Sequence, residues 1–456
     1  MAQVSAINNQ KGDLSSKEVK KNGVVKTVNP KKFLFISIDG LIGDIAWQVV
    51  KEGHEVKYYI ENPDDKEVTD GFVPKVDDWK EEVEWADIIV FDDVLGQGKK
   101  AKKLREQGKI IVGGAPYTDQ LEDDRSFGQE ELKKFGVPIL PYREFTSFDD
   151  AIQFVKDNPG RYVIKPSGQA QNIKGLLFIG EEEDGKDVIQ VLGDYSKAWA
   201  KKIPVFQLQK RITGVEVAVG AFFNGKEFIY PINVNFEHKK LFPGNLGPST
   251  GEMGTVVFHS EPNRLFNSTL KKFESKLAEE NYVGYIDLNC IVNNNGIYPL
   301  EFTSRFGYPH ISILQESMIT PIGDFLYEIA RGNKPSLKVK SGFHIGIRLV
   351  VPPFPFTDKK TFEVKSKDSL IYFKKSVEGV HLEDVKLVNG EWVVTGNSGV
   401  VLIVCGSGQT MKQAQNQVYS RIKNIMIPHM YYRTDIGDRW FEDSDKLHNW
   451  GYLREV

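Results

Sequence analysis

The chain has 456 residues, 40% hydrophobic and 27% charged, which is soluble globular usage and more than one ordinary core absorbs, so two to four packed lobes are expected. Its 59 basic and 62 acidic side chains leave a formal net charge of −3, which supplies neither a counterion-release drive toward nucleic acid nor a polybasic membrane anchor. Two cysteines, Cys290 and Cys405, stand far apart in apolar segments, so neither a disulfide framework nor a zinc site is expected, and no apolar run approaches the ~18 residues of a membrane helix.

Residues 1–31 are polar, lack the apolar centre of a signal peptide and read as a mobile extension, consistent with a cytoplasmic protein. From Phe33 the pattern changes. Phe33-Leu34-Phe35-Ile36-Ser37-Ile38 is a buried-strand signal, followed by a Gly-containing turn and a helical stretch, Ile45 to Val50. Three further short apolar runs, His54 to Ile60, Asp87 to Phe91 and Lys109 to Val112, alternate with helical or loop sequence. The alternation predicts an α/β, doubly wound parallel sheet over 32–120.

A charged helix, Arg125 to Phe135, opens a second section, 121–335, and leads through Gly136-Val137-Pro138 to another helix and the strand Tyr162-Val163-Ile164-Lys165. After Gly175 come repeated β-rich runs, Leu176 to Ile179, Pro204 to Leu208, Val215 to Phe223 and Phe228 to Val234. This part reads as antiparallel α+β. An amphipathic helix, Arg264 to Glu280, precedes strands Gly284 to Val292 and Ile297 to Phe302, joined by the turn Asn293-Asn294-Asn295-Gly296. The last section, 336–456, reads over roughly 337–440 as short strands with turns followed by one helix, Met411 to Lys423.

Several segments carry chemistry. Lys165 ends an apolar strand before the polar loop Ser167 to Gly175, an arrangement that sets a cation beside backbone N–H groups able to approach phosphate; alone it also reads as an ordinary hairpin with a surface lysine. Gly247 to Thr255 holds three glycines and three hydroxyl residues, so it folds around an anion or merely connects. Glu237-His238-Lys239-Lys240 reads as a substrate contact or a solvated turn. Asp287 and Asn289, two apart on one strand, share a face and converge with Glu301 on a hard cation, or these are edge charges. Arg305 reads as a cation for a phosphoryl group or carboxylate, or as a surface ion pair.

In collinear order, from about Phe33 to Ile436, these segments resemble the ATP-grasp superfamily and, within it, the phosphoribosylamine-glycine ligase (glycinamide ribonucleotide synthetase) family. The family's GPNTGGMG loop resembles Gly247-Pro248-Ser249-Thr250-Gly251-Glu252-Met253-Gly254, its DHKR resembles Glu237-His238-Lys239-Lys240, and its LEFNxRFGDPE resembles Leu300 to His310. Val401 to Val404, the helix from Met411 and Tyr432-Arg433-Thr434-Asp435-Ile436-Gly437 are similar to its terminal domain. The resemblance implies an ATP-grasp fold with an N-terminal Rossmann-like preATP-grasp domain and a small C-terminal domain. It also implies ATP and Mg2+ (or Mn2+), an amino acid carboxylate phosphorylated to an acyl phosphate, and capture by an amine, phosphoribosylamine in the family; a monomer or homodimer is expected. Carried over residue by residue, it puts Arg125 and Lys165 at the phosphates, Gln209, Lys210 and Ile212 at the adenine, Glu216 at the ribose, and Glu301, Asn289 and Thr303 at the metal. The substrates fall to Gly40, Glu237, Lys239, Pro248, Ser249, Thr250 and Arg305, with Arg305 and Lys165 in catalysis.

Departures cluster on the substrate side. The family's GGREHALAW turn is here Asp39 to Trp47, with Leu41, Ile42 and Gly43 in place of Arg, Glu and His. Thr303 replaces a metal-holding Asn, Tyr308 and His310 replace Asp and Glu, and Gln209 with Lys210 replaces an acidic pair. Three readings follow: phosphoribosylamine-glycine ligation, a ligase joining another carboxylate and amine, and a nucleotide binder without turnover.

Overall fold

The computed structural model describes residues 29–455 except 93–95, 168, 169, 171, 172, 174, 376 and 377. All but the last three residues of the expected extension, and five positions of the Ser167 to Gly175 loop, lie outside the described residues.

Lys32–Ser37 (β1), Gly43–Glu52 (α1), Glu55–Ile60 (β2), Ile88–Phe91 (β3), Gly98–Glu106 (α2) and Ile111–Val112 (β4) form the expected parallel sheet, in the order β2-β1-β3-β4. The apolar run of β1 is continuous because both faces are covered: Phe33 and Phe35 enter one core and Leu34 and Ile36 another. Pro116–Asp123 (α3) and Arg125–Lys134 (α4) then lead out of this lobe. Tyr142–Phe145 (β5), Phe148–Asp157 (α5), Tyr162–Pro166 (β6), Phe178–Ile179 (β7), Lys186–Ala198 (α6) and Phe206–Lys210 (β8) form a small antiparallel lobe with its own core, the sheet running β5-β8-β6-β7.

The rest is built on one long antiparallel sheet. It takes in Val215–Asn224 (β9) and Phe228–Glu237 (β10); after the ribbon Lys240–Phe242 (β11) and Leu246–Ser249 (β12) comes Gly254–Ser260 (β13). Arg264–Ser268 (α7) and Glu274–Glu279 (α8) precede the hairpin Val283–Asn293 (β14) and Gly296–Thr303 (β15), followed by His310–Ser317 (α9) and Ile322–Ala330 (α10). The terminal section contributes Phe343–Val350 (β16), Lys359–Lys365 (α11), Tyr372–Phe373 (β17), Val380–Leu382 (β18), Val385–Val388 (β19), Glu391–Val394 (β20), Val400–Gly408 (β21), Met411–Ile422 (α12), Ile425–Met426 (β22) and Trp440–Asn449 (α13). The strand order is β15-β14-β9-β10-β13-β16-β21-β18, so pairing of β13 with β16 carries the sheet into the terminal section.

Two expectations are corrected. The single helix Arg264 to Glu280 is broken at Thr269, whose hydroxyl donates to Leu265 O (2.6 Å) and whose backbone leaves helical geometry (φ −128°, ψ −93°); a threonine hydroxyl competing for backbone groups ends the turn. The apolar spacing survived because Leu265, Phe266, Leu270, Phe273 and Leu277 are all buried on either side of the break. The terminal section also holds a short helix, α11, where Asp358 caps the N-terminus by accepting from Thr361 N (2.9 Å).

Candidate functional site

The register of the long sheet gives it one polar face. Ala218 and Gly220 of β9 align with Asn289 and Asp287 of β14 and with Asn235 and Asn233 of β10, and Glu216 aligns with Ile291 of β14; Asn289 pairs with Glu301 and Asp287 with Thr303 on β15, and Glu237 pairs with Thr255 of β13. Between this face and the small lobe lies a cavity of about 820 Å³. Arg125, Lys165, Gln209, Lys210, Ile212, Glu216, Glu237, Lys239, Ser249, Thr250, Glu301, Thr303 and Arg305 all line it, together with an apolar patch that includes Leu140, Val163, Ile291 and Leu300. Three expected residues do not line it. Asn289 lies beneath the floor, Pro248 stands beside the lining Ser249, and Gly40 belongs to the turn after β1.

The charges are ordered. Lys165 on β6 is buried, and burial first, then the neighbouring Arg125 charge, push its ammonium down to about 7. Lys239 Nζ reaches Glu301 at 2.8 Å, Glu237 at 3.2 Å and Glu216 at 3.4 Å. Burial alone lowers the Lys239 ammonium, but these three carboxylates hold it well above its usual range, and Lys239 in turn depresses Glu301. Asn289 Nδ2 donates to Glu237 (2.9 Å) while its Oδ1 is enclosed without a partner. Among the described residues no group of three acidic, His or Cys side chains forms a metal cage; magnesium does not need one, since it takes one or two carboxylates with phosphate oxygens and water. Glu301, the orphaned Asn289 Oδ1 and the Thr303 hydroxyl are oxygen donors of that type.

The glycine-rich loop is a fixed ribbon rather than a slack connection. Lys240 pairs with Ser249, Thr250 N–H and Oγ1 both donate to Lys239 O (2.7 and 2.9 Å), and Met253 N donates to His238 O (2.9 Å). Gly247 has φ +77°, and a Cβ there meets the Phe242 ring at 2.5 Å. Gly254 lies so close to Gly346 O that a Cβ sits 2.7 Å away. His238 turns away from the cavity: it is buried, its Nε2 accepts from Gly437 N (3.4 Å), and burial, then Arg439, push its pKa down to about 3.

The turn after β1 is closed and acidic. Ser37 Oγ accepts from Gly40 N (2.8 Å) and Leu41 N (3.2 Å) and itself donates to Asp92, which also accepts from Ile38 N (3.0 Å). Nearby Asp65 is raised to about 8 by burial and then by Asp384 and Asp39, and Glu383 to about 7 by burial.

Three residues of the site were passed over in the sequence. Glu122 holds Arg305, whose Nη2 lies 2.9 Å from Glu122 Oε1. Arg439 lines the cavity and donates to Glu216 O (3.0 Å) and Glu237 O (3.2 Å), fixing the edges of β9 and β10. Glu252 stands where the family loop has glycine; it is 5% exposed and its Oε1 has no hydrogen-bond partner. Only Glu252 left a trace in the sequence, as that mismatch.

Residues 123–311 match the family described as phosphoribosylglycinamide synthetase, ATP-grasp (A) domain, and residues 346–439 match phosphoribosylglycinamide synthetase, C domain. Curated phosphoribosylamine–glycine ligases are similar over most of the chain. The one from Clostridium acetobutylicum is 26% identical over 360 residues, 74% of this chain and 80% of that protein. The one from Halalkalibacterium halodurans is 23% identical over 351 residues, 74% and 78% respectively. The crystal structure of phosphoribosylamine–glycine ligase from Thermotoga maritima superposes with TM-score 0.66 at 21% identity, covering 89% of this chain and 100% of that one. That of N5-carboxyaminoimidazole ribonucleotide synthetase from the same organism gives 0.54 at 16%, covering 87% and 99%.

Proposed function

We propose, from the premise that this chain belongs to the ATP-grasp family and carries the A and C domains of phosphoribosylglycinamide synthetase, that it joins glycine to phosphoribosylamine at the expense of ATP. The observation that carries the reading is one cavity lined by Arg125, Lys165, Lys239 and Arg305 together with Glu301. Four cations suit a triphosphate and a transferring phosphoryl group. The apolar patch beside Gln209 and Ile212 suits an adenine ring, with Glu216 on the ribose. Magnesium or manganese would be held by Glu301 with Asn289 and Thr303, and supplies charge neutralisation on the phosphates.

A glycine carboxylate oxygen attacks the γ-phosphorus and the bond to the bridging oxygen breaks, releasing ADP. The amine nitrogen then attacks the acyl phosphate carbon; the C–N bond forms, the C–O bond to phosphate breaks, inorganic phosphate leaves, and the ammonium proton passes to solvent. Lys165 and Arg125 hold the β- and γ-phosphates and Arg305, braced by Glu122, meets the moving group.

The test is ADP release from the purified protein with ATP, magnesium and glycine, with and without phosphoribosylamine. Release that needs both substrates supports the reading; no release with any carboxylate and amine removes it. Glu301→Gln raises the magnesium concentration for half-maximal rate, whereas an unaltered titration makes Glu301 an edge charge. One observation favours a different amine: the amides of Gly40 and Leu41 already donate to Ser37 and carboxylates surround that turn, a poor seat for a sugar phosphate. ADP release with an unphosphorylated amine and none with phosphoribosylamine identifies that reading.

A further inference from the structure

The cavity end that receives the acyl group holds more acids than it has uses for. Glu301, Glu237 and Glu216 are gathered on Lys239, and Glu122 is paired with Arg305. Two buried carboxylates that are not themselves lining residues are different. Glu252 follows the lining residues Thr250 and Gly251 directly, is 5% exposed, and has an enclosed oxygen with no partner. Asp287, on the polar face of β14, is 1% exposed; its Oδ2 lies 3.4 Å from Tyr285 OH and 3.6 Å from His310 Nδ1, and its Oδ1 is also without a partner.

Burial holds the Glu252 carboxyl well above its usual range, with the charges of Glu237 and Asp287 adding to the effect and those of Arg348 and Lys239 opposing it. The Arg348 guanidinium offsets part of that burial but makes no hydrogen bond to the Glu252 carboxylate oxygen: its Nη1 and Nη2 donate to the carbonyls of Glu252 (3.1 Å) and Tyr308 (2.8 Å). A buried carboxylate without a hydrogen bond is costly unless a cation arrives with the ligand.

An α-amino acid whose carboxylate is phosphorylated brings such a cation. Its ammonium is only two bonds from the reacting carboxyl carbon, so it sits within a few ångströms of the moving phosphoryl group. It must also turn away from Arg305, Lys239, Lys165 and Arg125, which serve the phosphates. We propose that Glu252, with the free Oδ1 of Asp287, holds the α-ammonium of the amino acid that this chain activates. The chain thus places a carboxylate at 252 while Tyr308 and His310 stand where the family pattern has acids. This inference rests on the ligase reading above and names the residues that select its acyl substrate.

The test compares glycine with glycolate, which carries a hydroxyl in place of the ammonium, using the full-length protein with ATP, magnesium and hydroxylamine as acceptor, and following the hydroxamate. In the unaltered chain glycine is preferred. Glu252→Gln raises KM for glycine at least about tenfold, as loss of a charged hydrogen-bond partner does, leaves KM for ATP and for glycolate in place, and so shrinks the preference. Asp287→Asn shrinks it less, and Glu252→Asp restores part of it. Glu252→Gly, the family residue, supplies the same comparison where the glutamine variant does not fold. A preference unchanged in these variants overturns the inference while leaving the ligase reading intact. An unaltered chain that activates no carboxylate removes both.

Discussion

On the proposed reading, Lys165 is the buried cation that would set the pH dependence of nucleotide binding. With its ammonium near 7 in the free protein, it is charged below that pH and neutral above it, and phosphate oxygens favour the charged form. Nucleotide affinity therefore stays level below about pH 7 and falls as pH rises through it, with a proton taken up on binding. Calorimetry in two buffers of different ionisation heat measures that uptake, and Lys165→Met removes it while weakening binding by roughly tenfold or more. Lys165→Ala should abolish turnover and leave circular dichroism unchanged.

His238 makes a second residue-scale case, with the opposite consequence. Its folded pKa of about 3 lies below the ordinary value of 6.5, so between those limits the unfolded chain binds the extra proton. The neutral ring favours the fold above pH 6.5, and that contribution is lost as pH falls toward 3, at about 1.4 kcal/mol per pH unit. Urea unfolding at several pH values checks the slope, and His238→Gln flattens it.

At the scale of elements, the ribbon of β11 and β12 carries Ser249 and Thr250 to the cavity. Gly247→Ala forces a side chain into a left-handed backbone and against Phe242, an expected cost of about 1–3 kcal/mol in chemical denaturation. Arg433 secures the same ribbon from the far end of the chain. Fully buried, it donates to both oxygens of Asp435 (2.8 and 2.7 Å) and to Lys240 O (2.9 Å). Arg433→Met leaves Asp435 without its cation and is expected to cost about 3–5 kcal/mol, read as a lower urea midpoint. The Tyr431 to Gly437 motif thus acts through the ribbon it holds.

At the scale of the molecule, much was legible where a local rule met a tertiary demand. The N-terminal runs read correctly because a two-sided buried strand must be apolar throughout. The turn at Asn293 to Gly296 gave the hairpin, and with it the pairing of Asn289 with Glu301. Thr269 broke a helix whose apolar spacing hid the break, because both halves bury the same side. Glu122 and Arg439 were not legible: each acts on a residue more than 180 positions away, at Arg305 and Glu237, and nothing local marks such a partner. Glu252 showed as one unexpected letter, and only the fold gives it burial.

Arg433 and Arg439 have a temporal implication. The strands that floor the cavity are finished by residue 303, yet their edges and the neighbouring ribbon are pinned by guanidinium groups at 433 and 439. On the ribosome, the cavity floor would thus stay unpinned until residue 439 had left the exit tunnel.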